Sequence, residues 1–369
     1  MKLPLMNAHS SQMLTRRTFL AGATAALVVG GNFLPLVPGA LAPEASAQSQ
    51  TVTVYSARHY DSDNVIYQRF QARTGIKVNV VSDSDATKLL ERIRSEGSRT
   101  SADLFITADA GNLWRAENAG ILQPVQSQVL NRAIPANLRD SQNHWFALSK
   151  RARVIMYNKD RVKPNQLGNL ANYEDLAKPM WKGRVIMRSS QNVYNQSLVG
   201  SIIAAAGAGS AESWVRGLVA NFKRPPQGND TAQIQAVAAG QADVTVANTY
   251  YLVRLAKSNK SADRNIASKI GVVFPNQGGR GTHVNISGAG VVKGAKNRAN
   301  AVRLLEFMVS KEAQEVFAKS NNEYPVIGGV TLDPILVRYG RFKEDPLNVD
   351  VIGRNNTNAT KIMDRAGWR

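Results

Sequence analysis

The chain has 369 residues, a length that suits two domains. Hydrophobic residues are 43% and charged residues 20%, an ordinary globular composition, and the lack of cysteine excludes disulfides, thiolate metal sites and cysteine nucleophiles. The formal charge is +19, but the Lys and Arg residues are scattered without aromatic interleaving, which argues against a nucleic-acid partner.

The chain opens on a targeting segment. Thr15-Arg16-Arg17-Thr18-Phe19-Leu20 resembles the twin-arginine export signal. An uncharged stretch follows to Pro43, and Ala45-Ser46-Ala47 fits a small-residue cleavage site. Residues 1–47 are therefore read as a signal peptide; the alternative is an uncleaved N-terminal anchor. Without the segment's three basic residues and one acidic residue, the mature chain carries +17. No later run reads as long and apolar enough to span a bilayer, so the mature protein is expected outside the cytoplasm, in the periplasm.

Thr51-Val-Thr-Val-Tyr55 alternates and is β-branched, which predicts a strand. Ser56-Ala57-Arg58-His59-Tyr60 is a loop, and Asp61-Ser62-Asp63 starts a helix to Arg73, ended by Gly75. A strand over 76–81 follows, then a helix capped by Asp85, a buried strand over 102–107, and a helix carrying Leu113 and Trp114. This strand–helix rhythm predicts a parallel sheet. It changes after Pro135, where residues 144–148 and 154–157 read as two strands.

Residues 183–187 read as a strand, and a helix over 197–206 is broken by Gly207-Ala-Gly-Ser210 before another around 214–222. Residues 244–247 form a short buried strand, and Tyr250-Tyr251-Leu252-Val253 opens a helix carrying Arg254. A strand over 270–274 comes next. Gly278-Gly-Arg-Gly281 and Ser287-Gly-Ala-Gly290 read as loops, residues 299–318 as one long amphipathic helix, and residues 331–369 as a less regular tail.

The expected architecture is α/β and two-lobed, each lobe a mostly parallel sheet flanked by helices, joined by a hinge. Lobe 1 is read as residues 48–150 with 278–330, and lobe 2 as 151–277. Residues 331–369 are read as a C-terminal segment packing across the lobes.

In such folds ligands bind beyond the carboxyl ends of strands. Tyr60, Tyr194, Tyr250 and Tyr251, four of the ten tyrosines, fall in those loops, with His59 beside Tyr60. Ionising one phenol at neutral pH costs about 4 kcal/mol, and four cost about 16 kcal/mol. A hard, highly charged cation repays this, and Fe3+ fits several phenolate oxygens; Fe2+ would bind more weakly, with His59 and fewer ionised phenols. Four phenolates on Fe3+ leave one negative charge, which Arg254, one turn after Tyr251, is positioned to offset. A lone tyrosine in such a loop is most often a packing residue, so the inference rests on the convergence of all four.

Taken together, Val54-Tyr-Ser-Ala-Arg-His-Tyr60, Asp103-Leu-Phe-Ile-Thr107, Arg188-Ser-Ser-Gln-Asn-Val-Tyr194, Ala247-Asn-Thr-Tyr-Tyr251, His283-Val-Asn-Ile-Ser-Gly288 and Asn322-Glu-Tyr-Pro-Val326 span nearly the whole mature chain. With them the sequence resembles periplasmic ferric-iron-binding proteins of the FutA type, in the two-lobed solute-binding superfamily. The resemblance implies that Tyr60, Tyr194, Tyr250 and Tyr251 bind iron, that His59 is a ligand in some members, and that Tyr324 is structural. It implies a monomer that delivers iron to an ABC-type importer in the inner membrane. With four tyrosines, binding is expected to need no accessory anion. No Gly-x-Ser-x-Gly elbow, His-Glu-x-x-His or P-loop is present, so no enzyme activity is expected. Two readings stay open: an oxyanion-binding protein of the same fold, and an iron-holding protein of protection or storage not engaged in transport.

Overall fold

The computed structural model describes residues 50–58 and 60–369. The segment read as a signal peptide and His59 lie outside the described residues.

Strand β1 (Thr51–Ser56) is flanked by β2 (Lys77–Ser82) and β3 (Leu104–Ala108), both parallel to it. Helices α1 (Asp63–Thr74), α2 (Ala86–Glu96) and α3 (Ala110–Asn118) follow these strands in turn. Gly75 ends α1 at φ 73°, where its N–H reaches the Gln71 carbonyl, and the Asp85 side chain caps α2 at Thr87 N. Both were expected from the residue types.

After the short β4 (Leu122–Gln123) and α4 (Gln128–Ala133), the chain enters β5 (Phe146–Asn158). The two strands expected here are one. At about 3.3 Å per residue it reaches about 43 Å, long enough to serve both halves of the molecule. The second half continues with α5 (Val193–Ala220), α6 (Asp230–Ala238), β6 (Val244–Asn248), α7 (Thr249–Ala256), α8 (Ser261–Ser268) and β7 (Ile270–Val273). The chain returns as β8 (Val284–Val292), then α9 (Arg298–Met308), α10 (Lys311–Ser320), α11 (Pro334–Arg338), α12 (Val349–Arg354) and α13 (Asn356–Arg365).

The sheet order is β2-β1-β3-β8-β5-β6, with β4 on β8 and β7 on β5. The first half of β5 pairs antiparallel with β8, and β8 pairs antiparallel with β3, so β5 there runs with β3. The second half of β5 pairs antiparallel with both β6 and β7. Each half of the sheet therefore contains strands of one direction and a single reversed strand. That strand is β8 in the first half and β5 in the second. The two-lobed α/β expectation holds in this form.

Four local expectations change. Residues 287–290 are not a loop but the buried middle of β8. The glycines are there for contact: a Cβ on Gly290 would stand 2.5 Å from the His144 carbonyl oxygen, and one on Gly288 would stand 2.6 Å from Leu113. Residues 299–318 form two helices, because the Ser310 side chain caps Ala313 N and starts α10 afresh. Residues 183–187 contribute only bridges at Val185, to Phe222 and Val244. The tail carries three short helices, with a non-helical stretch over 339–348 between the first two.

Helix α5 is 28 residues long and apolar enough to match a membrane span by length, contrary to the reading that no later run qualifies. Gly207 breaks it at φ 80°, as its sequence predicts, and its inner face carries buried Leu198, Trp214 and Leu218.

One core lies under β1, β3 and β8 and includes Phe70, Leu113, Phe146 and Phe317. Two more flank the far half of β5, one around Trp181, Leu198 and Trp214, the other around Ile234, Val253 and Tyr324. Val349 and Ile352 enter the first core, while Ile362, Met363 and Trp368 enter the second.

Candidate metal centre

Three elements aim phenols at one place. Tyr60 lies in the loop between β1 and α1. Tyr194 lies in the first turn of α5, where the Asn192 side chain accepts its N–H at 3.1 Å. Tyr250 and Tyr251 open α7 directly after β6. The Tyr60 and Tyr250 rings meet edge-on at 6.5 Å, and the Tyr250 and Tyr251 rings lie 4.1 Å apart. Tyr194 is tied in through arginine: the Arg151 guanidinium is 5.8 Å from the Tyr194 ring and 6.0 Å from the Tyr250 ring. A 610 Å3 cavity opens beside Tyr194 and Tyr251.

Burial raises the pKa of Tyr60, Tyr250 and Tyr251 well above the usual phenol range. After burial, Tyr60 is pushed further by Glu323, and Tyr250 by Tyr194, Tyr60 and Tyr251. Tyr251 is pushed by Tyr194 and Asp230. Arg151 opposes the rise at Tyr60 and Tyr250. These phenols hold their protons at neutral pH, and removing one makes the next harder to remove. A cation among them reverses that order.

A charged cage surrounds the phenols. Glu323 is buried and takes hydrogen bonds from Tyr60 Oη at 3.2 Å, Arg151 Nε at 2.9 Å and Ser149 Oγ at 2.5 Å. Arg58 pairs with Asp63 at 2.8 Å and with Glu323 at 3.4 Å, and lies 4.7 Å over the Tyr60 ring. The paired guanidiniums hold the Glu323 carboxyl below its ordinary range against the opposing push of burial. On the other side, Arg153 and Arg188 both pair with Asp230 and stand 5.9 and 5.8 Å from the Tyr194 ring.

Four guanidiniums thus face three carboxylates, Asp63, Asp230 and Glu323, leaving one positive charge while the phenols are neutral. Ionising all four phenols brings the cage to three negative charges, which a trivalent cation cancels. A divalent cation balances it when one phenol keeps its proton.

Arg254 does not join this cage. It lies exposed on α7, one turn beyond the phenols, while arginines of β5 and the neighbouring loops stand against the phenol rings. Tyr324 is buried, with its ring 5.2 Å from that of Phe342. The cage residues were not singled out from sequence. The available signal was Lys150-Arg151-Ala152-Arg153, two arginines two positions apart inside an apolar strand, which puts both on one sheet face.

Comparison with known proteins agrees with this architecture. Residues 99–343 match the bacterial extracellular solute-binding protein family. The chain is 51% identical to iron uptake protein A1 of Synechocystis sp., over 97% of this chain and 99% of that protein. A Trichodesmium IdiA/FutA structure, described as a complex with iron and citrate, superposes with a TM-score of 0.83 at 55% identity, covering 86% of this chain and all of that one. The apo FutA2 structure from Synechocystis gives 0.82 at 48% identity, over 87% of this chain and all of that one. The chain belongs to the bacterial extracellular solute-binding protein family, among relatives named for iron uptake.

Proposed function

We propose that the protein captures Fe3+ outside the cytoplasm and hands it to an ABC importer of the inner membrane. The metal would be held by the phenolates of Tyr60, Tyr194, Tyr250 and Tyr251. The observation that carries this reading is the charge of the cage: four ionised phenols leave it three negative charges, the number a ferric ion neutralises. The same balance favours binding without an accessory anion. Arg58 and Arg151, rather than Arg254, lower the cost of ionising Tyr60. The names of the relatives support iron as cargo, and membership of a binding-protein family supports binding without catalysis.

The lobes are taken as residues 48–150 with 278–330 and residues 151–277, with 331–369 packing across both. This division is supported by the first core, which draws on β1, β3 and β8, and by the tail, which supplies side chains to more than one core. Arg16-Arg17 supports export through the twin-arginine pathway to the periplasm, where the protein is read as a monomer.

The test is an optical titration of mature protein with Fe3+, supplied as a weak chelate. Wild type is expected to gain a phenolate-to-iron charge-transfer band, and Tyr250→Phe and Tyr251→Phe each to lose most of the affinity. Wild-type titrations in both variants would exclude these ligands.

A further inference from the structure

We propose that Glu117, Asp140 and His144 form a second metal site, for a divalent first-row transition cation, away from the phenol cluster. Glu117 lies in the last turn of α3, and Asp140 and His144 lie in the turn before β5. One ligand atom from each lies within 4.8 Å of the other two. His144 Nδ1 is 2.8 Å from Asp140 Oδ2 and 3.9 Å from Glu117 Oε1. Tetrahedral coordination at metal–ligand distances of about 2.1 Å requires ligand separations of roughly 3.4 Å. The Glu117 separation lies close to that value, while the Asp140 separation is a hydrogen bond, so an ion would take the place of the proton shared between Nδ1 and Asp140.

The surroundings orient the donors. Trp145 Nε1 donates to Glu117 Oε2 at 2.7 Å, which leaves Oε1 turned to His144. The backbone N–H groups of Gln142 and His144 donate to Asp140 Oδ2, fixing a carboxylate that is 1% exposed. Among the described residues no donor reaches Asp140 Oδ1, which leaves an oxygen for a cation. Ligands held in this way by their neighbours are the arrangement metal sites use. Glu117 and His144 also line a 510 Å3 cavity, from which water could complete the coordination.

The charge balance points the same way. Two carboxylates stand against one imidazole, in a mature chain that is otherwise strongly basic. Lys293 lines the cavity and Arg354 pairs with Asp350 at 2.9 Å; neither is paired with Glu117 or Asp140. One imidazole with two carboxylates suits zinc and its neighbours better than calcium or magnesium.

Zinc calorimetry at pH 7.5 tests the site in four mature proteins: wild type, Tyr250→Phe/Tyr251→Phe, Glu117→Gln and His144→Gln. Glu117→Gln keeps an acceptor for Trp145 Nε1, and unfolding curves confirm that each variant is folded. The double phenylalanine variant should bind about one equivalent, and wild type at least as much. Affinity should fall at least 10-fold in Glu117→Gln and in His144→Gln. Cobalt in place of zinc should give visible d–d bands that the same two variants lose. No zinc binding in wild type, unchanged binding in both site variants, or loss only in the phenylalanine variant would overturn the proposal. The phenylalanine variant also separates this site from the iron reading, since either can fail alone.

Discussion

Tyr60 Oη donates to Glu323 Oε1 at 3.2 Å, although 263 residues separate them. The bond joins the first loop of the mature chain to the segment after α10, and Arg58 and Arg151 close on the same carboxylate. Glu323 is thus both a structural tie and an acceptor for one phenol of the cluster, Tyr60. Glu323→Gln would leave two buried guanidiniums short of a counter-charge. Removing one partner of a buried pair typically costs about 3–5 kcal/mol. Urea unfolding at pH 7 should show a loss of that order, and a loss below about 1 kcal/mol would mean that the network is not holding the segments together.

The same carboxylate sets an acid limit. Its folded-state pKa is lowered, so its contribution is full above the unfolded value of about 4.3 and is lost as pH falls through the folded value. Stability of wild type should therefore decline below about pH 4 more steeply than that of Glu323→Gln. Parallel curves for the two proteins across pH 2–5 would remove Glu323 as the source.

Much of the first half was legible in the sequence. Period-two strands, the Asp85 cap and Gly75 act locally, over a few residues. The phenols were legible because each follows a strand or loop at a helix start, where open sheets expose their ligands. What stayed hidden depends on residues far apart in sequence. Nothing near Glu323 announces Arg58, and the Ser287-Gly-Ala-Gly290 run reads as a loop until Leu113, Leu122 and the His144 carbonyl are seen pressing on it. Arg254 shows the same limit: adjacency of one helical turn to Tyr251 does not say whether the side chain faces the cluster or the solvent.

That contrast yields a paired prediction about arginines. Arg188 stands about 6 Å from the Tyr194 ring, where one charge acting through an effective dielectric of 20 is worth about 3 kcal/mol. Arg188→Ala should weaken ferric binding by about 100-fold. Arg254→Ala, at an exposed position, should change binding and stability by no more than about 0.5 kcal/mol. Chelator competition on both variants measures the difference, and the reverse order would restore Arg254 as the balancing charge.

Proton release provides a count of the phenols that ionise. Burial holds Tyr60, Tyr250 and Tyr251 protonated at neutral pH. A metal that takes all four phenols must then expel about four protons on binding. A pH-stat titration at pH 7, corrected for the chelate that supplies the iron, should approach that number and fall by about one in Tyr250→Phe. Release of two or fewer would mean that the cluster binds metal through fewer phenols.

The glycines of β8 provide the last test, one of packing alone. At Gly290 an added Cβ would lie 2.5 Å from the His144 carbonyl oxygen and 2.7 Å from Leu122. The first neighbour is backbone in the turn leading to β5 and cannot rotate away, so the strands must separate locally. Overpacking of this kind typically costs about 1–3 kcal/mol. Gly290→Ala should lower the urea midpoint accordingly. By contrast, Gly209→Ala, where a Cβ meets nothing within 4 Å, should be neutral or slightly stabilising in its helix. Equal stability of the two variants would show that β8 has room at Gly290, and that its glycines serve something other than close strand packing.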